Sequence, residues 1–185
     1  HNTLPPYNDV LSGVPHVCFK VPTGGGKTLL ACASIKHIFD GIGALNTKAV
    51  VWLVPSTAIL EQTIAHLRDP QDPYRQQINF DFGARVEVYD GTQGVNGQAL
   101  SPSSVRENLS IFVLTYDSLR ITRKEDRKIY QENGNLAPFV AHYTDRDALV
   151  PNVDETALIQ VINQLSPVVI VDESHNAQSD LSVEM

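Results

Sequence analysis

Val21-Pro22-Thr23-Gly24-Gly25-Gly26-Lys27-Thr28-Leu29-Leu30 decides how the rest of the chain is read. An apolar stretch from His16 to Val21 runs into three glycines, a Lys-Thr pair and then apolar residues at helical spacing. This predicts a strand, a phosphate-cradling loop and a helix from Lys27 to Phe39. Consecutive glycines let backbone N–H groups turn inward without Cβ clashes, which makes an anion-binding nest. The nest lies on a helix N-terminus, where orphan N–H donors and the macrodipole both favour a phosphate. Lys27 is then placed for the β- and γ-phosphates of a nucleotide, and the Thr28 hydroxyl for its Mg²⁺. Val21 stands where the usual pattern has a further glycine, and Gly24 to Gly26 supply the tight turn in its place.

Further along, three apolar runs read as strands: AVVWLV over 49–54, IFVLTY over 111–116 and VVIV over 168–171. The first two runs suit strands buried on both faces. Val86 and Val88 alternate in a further strand over 85–89. Between the strands, Gly41 is a candidate helix cap, and Pro55-Ser56-Thr57 offers a hydroxyl cap to a helix reaching about Leu67. Asp69, Pro70, Asp72 and Pro73 read as a turn-rich break. The glycine-containing stretch 90–97 reads as a mobile loop, Ser118 as the opening of a helical stretch, and Asn152 with Glu155 as a capping box for a helix to about Leu165. Strands separated by helices predict an α/β fold, a mainly parallel sheet with helices on both faces.

A second constellation stands at the end of the last apolar run. Val168–Val171 delivers Asp172-Glu173-Ser174-His175 to a strand's C-terminal end, the edge at which open α/β sheets bind ligands. Asp172 is a candidate to share Mg²⁺ with Thr28, because that ion takes few carboxylates besides water and phosphate. Glu173 is a candidate to orient an attacking water or accept its proton.

PTGGGKT, followed by DESH after VVIV, resembles the superfamily 2 helicases and translocases of the DExH type, and among them the helicase-like subunit of type III restriction enzymes. The resemblance implies a P-loop NTPase of RecA-like fold, with residues 1–185 as a first ATPase domain that is incomplete at its C-terminus. It implies ATP and Mg²⁺ as cofactors. It assigns Thr23, Gly24, Gly25, Gly26, Lys27 and Thr28 to the nucleotide, Thr28 and Asp172 to the metal, and catalytic roles to Lys27, Asp172, Glu173 and His175. Pro55 to Gln62 looks like the motif P-T-x-x-L-x-x-Q, and Thr115 to Leu119 like a later one, both of which touch the nucleic-acid backbone in the family. Ser56, Thr57 and Thr115 are the implied contacts, although an arginine common at the position of Thr57 is absent. His175 is the implied link between the acidic box and a neighbouring Ser-Ala-Thr motif, which this sequence lacks. The implied partners are DNA (with RNA not excluded), a second RecA-like domain and a methyltransferase subunit. The second domain supplies the family's catalytic arginine, so this chain alone is expected to bind ATP and barely hydrolyse it.

Composition narrows the alternatives. The 185 residues are one domain by length, and a net charge of −7 argues against a generally basic nucleic-acid coat while leaving room for a local groove. No apolar stretch approaches membrane-spanning length and no signal peptide is present, so a cytoplasmic location is expected. The first residue is His1, which reads as a fragment of a longer chain. Cys18 and Cys32 lack metal spacing and read as buried small hydrophobes. Arg120, Arg123, Lys124, Arg127 and Lys128 form a basic run that invites a DNA-binding reading; Glu125 and Asp126 interrupt it, and a solvated helix face is the preferred reading. An RNA helicase remains open as a second reading. A nucleotide-dependent switch or assembly module without nucleic acid is a third, although Asn46-Thr47-Lys48-Ala49 is not a guanine-reading box.

Overall fold

The computed structural model describes residues 14–22, 24–92, 100–120 and 126–172. Their centre is a four-stranded sheet, all parallel, in the order β2-β3-β1-β4. The strands are β1 (Lys48–Val54), β2 (Val86–Asp90), β3 (Leu109–Thr115) and β4 (Val168–Val171). In register, Lys48 faces Leu109 and Val54 faces Thr115, while Val50 to Leu53 face Val168 to Val171. Every residue of β3 and all of β1 after Lys48 are buried, as their apolar runs predict.

Side chains alternate across a strand, so each face of the sheet has its own core. Val50, Trp52 and Val54 of β1 join Cys32, Ile35 and Phe39 of α1 (Lys27–Ile42), Leu60, Ile64 and Leu67 of α2 (Thr57–Arg68), and Ile78 of α3 (Pro73–Phe82). Ala49, Val51 and Leu53 face the other way, with Val105 of α4 (Pro102–Glu107), Phe139 of α5 (Ala137–Val140) and Leu158 to Ile162 of α6 (Leu158–Gln164). Burying an aliphatic side chain such as Ile35 or Leu67, both wholly inaccessible, contributes about 1.5–3 kcal/mol. Helices on both faces of a parallel sheet are the architecture that the alternating pattern predicts.

Several elements differ from the sequence reading. No strand forms over 16–21: residues 14–22 are irregular, with Val17 76 % and Phe19 55 % exposed. Pro15 and Pro22 bring no ladder donor to either end of that stretch, and Lys20 interrupts its apolar run. Cys18 is therefore exposed and only Cys32 is buried. α1 runs past Gly41 and ends at Gly43, whose φ of 99° and N–H to the Phe39 carbonyl make it the cap. The turn-rich break at 69–73 is also a helix start. Asp72 accepts from the Tyr74 N–H at 2.8 Å and Pro73 takes the first helical position of α3, so turn and helix-start signals coincide.

Helix α4 was likewise not legible, although Ser101 and Ser104 close a reciprocal capping box around Pro102. The helical stretch at Ser118 is a 3₁₀ turn over Tyr116–Leu119. Asn152 caps nothing: its φ is 58°, and α6 starts only at Leu158 after Ala157. The intervening loop is held by Gln160, 1 % exposed, whose side-chain amide exchanges hydrogen bonds with Val150 and donates to the Val153 carbonyl. Most of the loop expected over 90–97 lies outside the described residues.

Candidate functional site

Helix α1 returns along the sheet antiparallel to β1. Its C-terminal residues Phe39 and Asp40 line a cavity of about 410 Å³ with Lys48 and Leu109, the first residues of β1 and β3. Sixteen helical residues span about 24 Å and seven strand residues about 23 Å. The N-terminus of α1 therefore reaches the carboxyl edge of the sheet.

At that N-terminus, Gly24 and Gly26 adopt left-handed conformations, φ 77° and 78°, which side chains rarely tolerate. Between them, a Cβ on Gly25 would stand 2.7 Å from Val21 Cγ1 and 2.9 Å from the Pro22 carbonyl oxygen. The Gly25 N–H donates to that carbonyl at 2.9 Å, so it closes the turn instead of facing a ligand. The first helical bond runs from Leu30 N–H to the Gly26 carbonyl, which leaves the N–H groups of Lys27, Thr28 and Leu29 without intrahelical acceptors. Backbone donors at a helix N-terminus, with Lys27 and the Thr28 hydroxyl beside them, are a donor set that fits phosphate and a phosphate-bound Mg²⁺. Thr23 lies outside the described residues.

Asp172 stands at the same edge, just past the end of β4. Its N–H donates to the Leu53 carbonyl at 3.0 Å, and its own carbonyl accepts the Tyr116 hydroxyl. Glu173, Ser174 and His175 lie outside the described residues. Among the described residues no three His, Cys, Asp or Glu side chains gather as a metal cage.

The candidate nucleic-acid residues converge. Ser56, Thr57 and Thr115 share a cleft of about 600 Å³ with Thr92, Asp117, Ser118, Asp126, Arg127 and Lys128. Its parts follow the ends of β1, β2 and β3, so the cleft also belongs to the carboxyl edge. Ser56 accepts from the Ile59 N–H at 3.4 Å and caps α2; Thr115 accepts from the Ser118 N–H at 3.3 Å and caps the 3₁₀ turn. A hydroxyl that accepts in a cap still has its proton to donate, so capping and phosphate contact are compatible. Ser118 Oγ donates back to the Thr115 carbonyl at 2.6 Å. Tyr130 braces the turn from below through a 2.9 Å bond from its hydroxyl to the Leu119 carbonyl, and burial raises its phenol pKa.

The basic run is divided. Arg127 meets Asp117 with both terminal guanidinium nitrogens, at 2.5 and 2.8 Å, and so lines the cleft instead of a solvated helix face. Thr92 Oγ1 and Arg127 Nε are buried without a hydrogen-bond partner among the described residues. Arg123 and Lys124 lie outside those residues. Thr92, Asp117, Ser118, Arg127 and Lys128 were not picked as site residues from the sequence; Asp117 and Ser118 fall inside the quoted motif at 115–119, and Arg127 and Lys128 inside the basic run, the two signals that could have found them.

The family described as type III restriction enzyme, res subunit, matches residues 8–185, nearly the whole chain. No curated protein matches the chain, and no solved structure does. No helix of the described residues is long and apolar enough to cross a membrane.

Proposed function

The chain belongs to the family of type III restriction enzyme res subunits, a helicase-like ATPase family of RecA-like fold, and from that premise we propose that it is the ATP-binding first domain of a DNA translocase of a restriction system. The observation that carries the reading is the cradle itself: two left-handed glycines on either side of a position with no room for a Cβ, at the N-terminus of α1.

In this reading the N–H groups of Lys27, Thr28 and Leu29 hold the phosphates, and the Lys27 ammonium neutralises charge on the β and γ groups. Thr28 and Asp172 would hold Mg²⁺, which when bound offsets charge on the phosphate oxygens. Glu173 would orient the attacking water and receive its proton. His175 would link that acid to nucleic-acid occupancy. Ser56, Thr57 and Thr115 would donate to backbone phosphates in the cleft, with Thr92 and Arg127 as further partners. Two acids and two bases around that cleft leave little net charge, which supports weak, positioning contacts over tight binding.

The test is ATP turnover by the full protein that carries this chain, alone and with DNA or RNA. Stimulation by DNA is expected. Stimulation by RNA alone would make it an RNA helicase, and ATP binding with no response to either would make it a nucleotide switch.

A further inference from the structure

Asp172 is gripped twice through its backbone, once by its neighbour strand and once from farther away. The Leu53 carbonyl on β1 takes its N–H, as a continuing sheet requires. Its carbonyl takes the hydroxyl of Tyr116, which reaches from the end of β3 past β1 to the end of β4. Tyr116 is 8 % exposed and packs in the core on the α6 face, so ring and hydroxyl are fixed together. A peptide unit is planar, so the donor that fixes this carbonyl also fixes the plane in which the chain leaves β4.

Tyr116 is also the first residue of the 3₁₀ turn whose Asp117 and Ser118 line the cleft. Ser118 donates two hydrogen bonds to Thr115 across it, Asp117 is clamped by Arg127, and Leu119 by Tyr130. A turn held at every residue moves as one body. A ligand drawing on Thr115, Asp117 or Ser118 therefore shifts the Tyr116 ring, and the hydroxyl passes the shift to Asp172.

We propose that Tyr116 is a positioning residue that couples the cleft to the nucleotide site through its hydrogen bond to the Asp172 carbonyl. The inference rests on the reading of the two sites as nucleotide and nucleic-acid sites. It assigns to one hydroxyl the task of making each ligand sense the other.

The experiment uses Tyr116→Phe, which keeps the ring and removes only the donor, in the full protein. Fluorescence anisotropy gives the Kd for a labelled DNA or RNA strand with and without Mg²⁺ and a non-hydrolysable ATP analogue; the ratio of the two Kd values measures coupling. Coupling between sites is typically about 5–150-fold, so the parent ratio is expected to differ from one by at least about fivefold. In Y116F the ratio should fall to within about twofold of one, while affinity without nucleotide stays within about twofold of the parent. A parent ratio kept in Y116F, or a parent ratio of one, overturns the inference. A parent that binds no nucleic acid at all sinks the functional reading instead. Should Y116F prove too unstable to assay, Tyr116→Met fills similar space without a donor and carries the same expectation.

Discussion

The glycine loop before α1 and the cleft share one edge of the sheet and are built in opposite ways. The loop is contiguous: residues 24–28 hold its chemistry in backbone conformation, and the glycines are its visible signature. The cleft is assembled from four separated stretches, and Thr115 with Ser118 and Asp117 with Arg127 are already engaged with each other. Backbone chemistry leaves a mark in the sequence because few residue types permit it. Side-chain chemistry gathered from turns leaves almost none.

The approach to the loop offers the largest contrast. Cys18 lies exposed in the stretch that leads to it, while Cys32 is buried in α1 and burial pushes its thiol up to about 12. At pH 8 a shift from 9 to about 12 lowers the thiolate fraction by about 10³, before any shielding is counted. Alkylation followed by mass spectrometry should therefore label Cys18 quickly and leave Cys32 unmodified until the protein unfolds. Protection of Cys18 would restore the strand expected over 16–21.

Next in size is the loop's intolerance of side chains. In Gly25→Val the Pro22 carbonyl cannot give way, so the turn must open and the phosphate donors scatter. Hydrogen bonds to a charged group are worth about 1.5–3 kcal/mol each, so losing two weakens ATP binding by at least about a hundredfold. Gly41→Ala is the control, since open space surrounds that position, and it should leave ATP affinity unchanged.

The cleft should respond less and in the opposite sense. Asp117→Asn releases Arg127 from its ion pair, so affinity for nucleic acid should rise a few-fold and the salt slope steepen by about 0.9. The parent slope should be shallower than about −4, the value for four neutralised phosphates. Anisotropy across a salt series measures both, and a weaker, flatter D117N would mean that Asp117 positions a donor instead of masking one. Smallest is Ser56→Ala, expected to cost about 1 kcal/mol of stability through the lost α2 cap. A denaturant midpoint unchanged in S56A would separate that hydroxyl from the helix.

The sheet was legible because β1 and β3 are buried on both faces, which forces uninterrupted apolar runs. What failed were the strand expected over 16–21, and short helices and their starts. Asp72-Pro73 and Ser101-Pro102 are turn signals and helix caps at once, and local sequence does not choose between them. Asn152 and Glu155 had capping-box spacing, yet packing of Leu158 and Ile159 set where α6 begins. Ser56, Thr57 and Thr115, picked from two separate places in the sequence reading, line one cleft. Arg127 was misread because its partner Asp117 is ten residues away and across a turn.

The central claim is that the loop before α1 holds a nucleotide through its phosphates. Calorimetric titration of Mg-ATP into the full protein and its Lys27→Ala variant tests it most directly. With the ammonium gone from a partly desolvated site, affinity should fall about tenfold to a hundredfold. Equal affinity in the two proteins would contradict the assignment of this loop as the phosphate site.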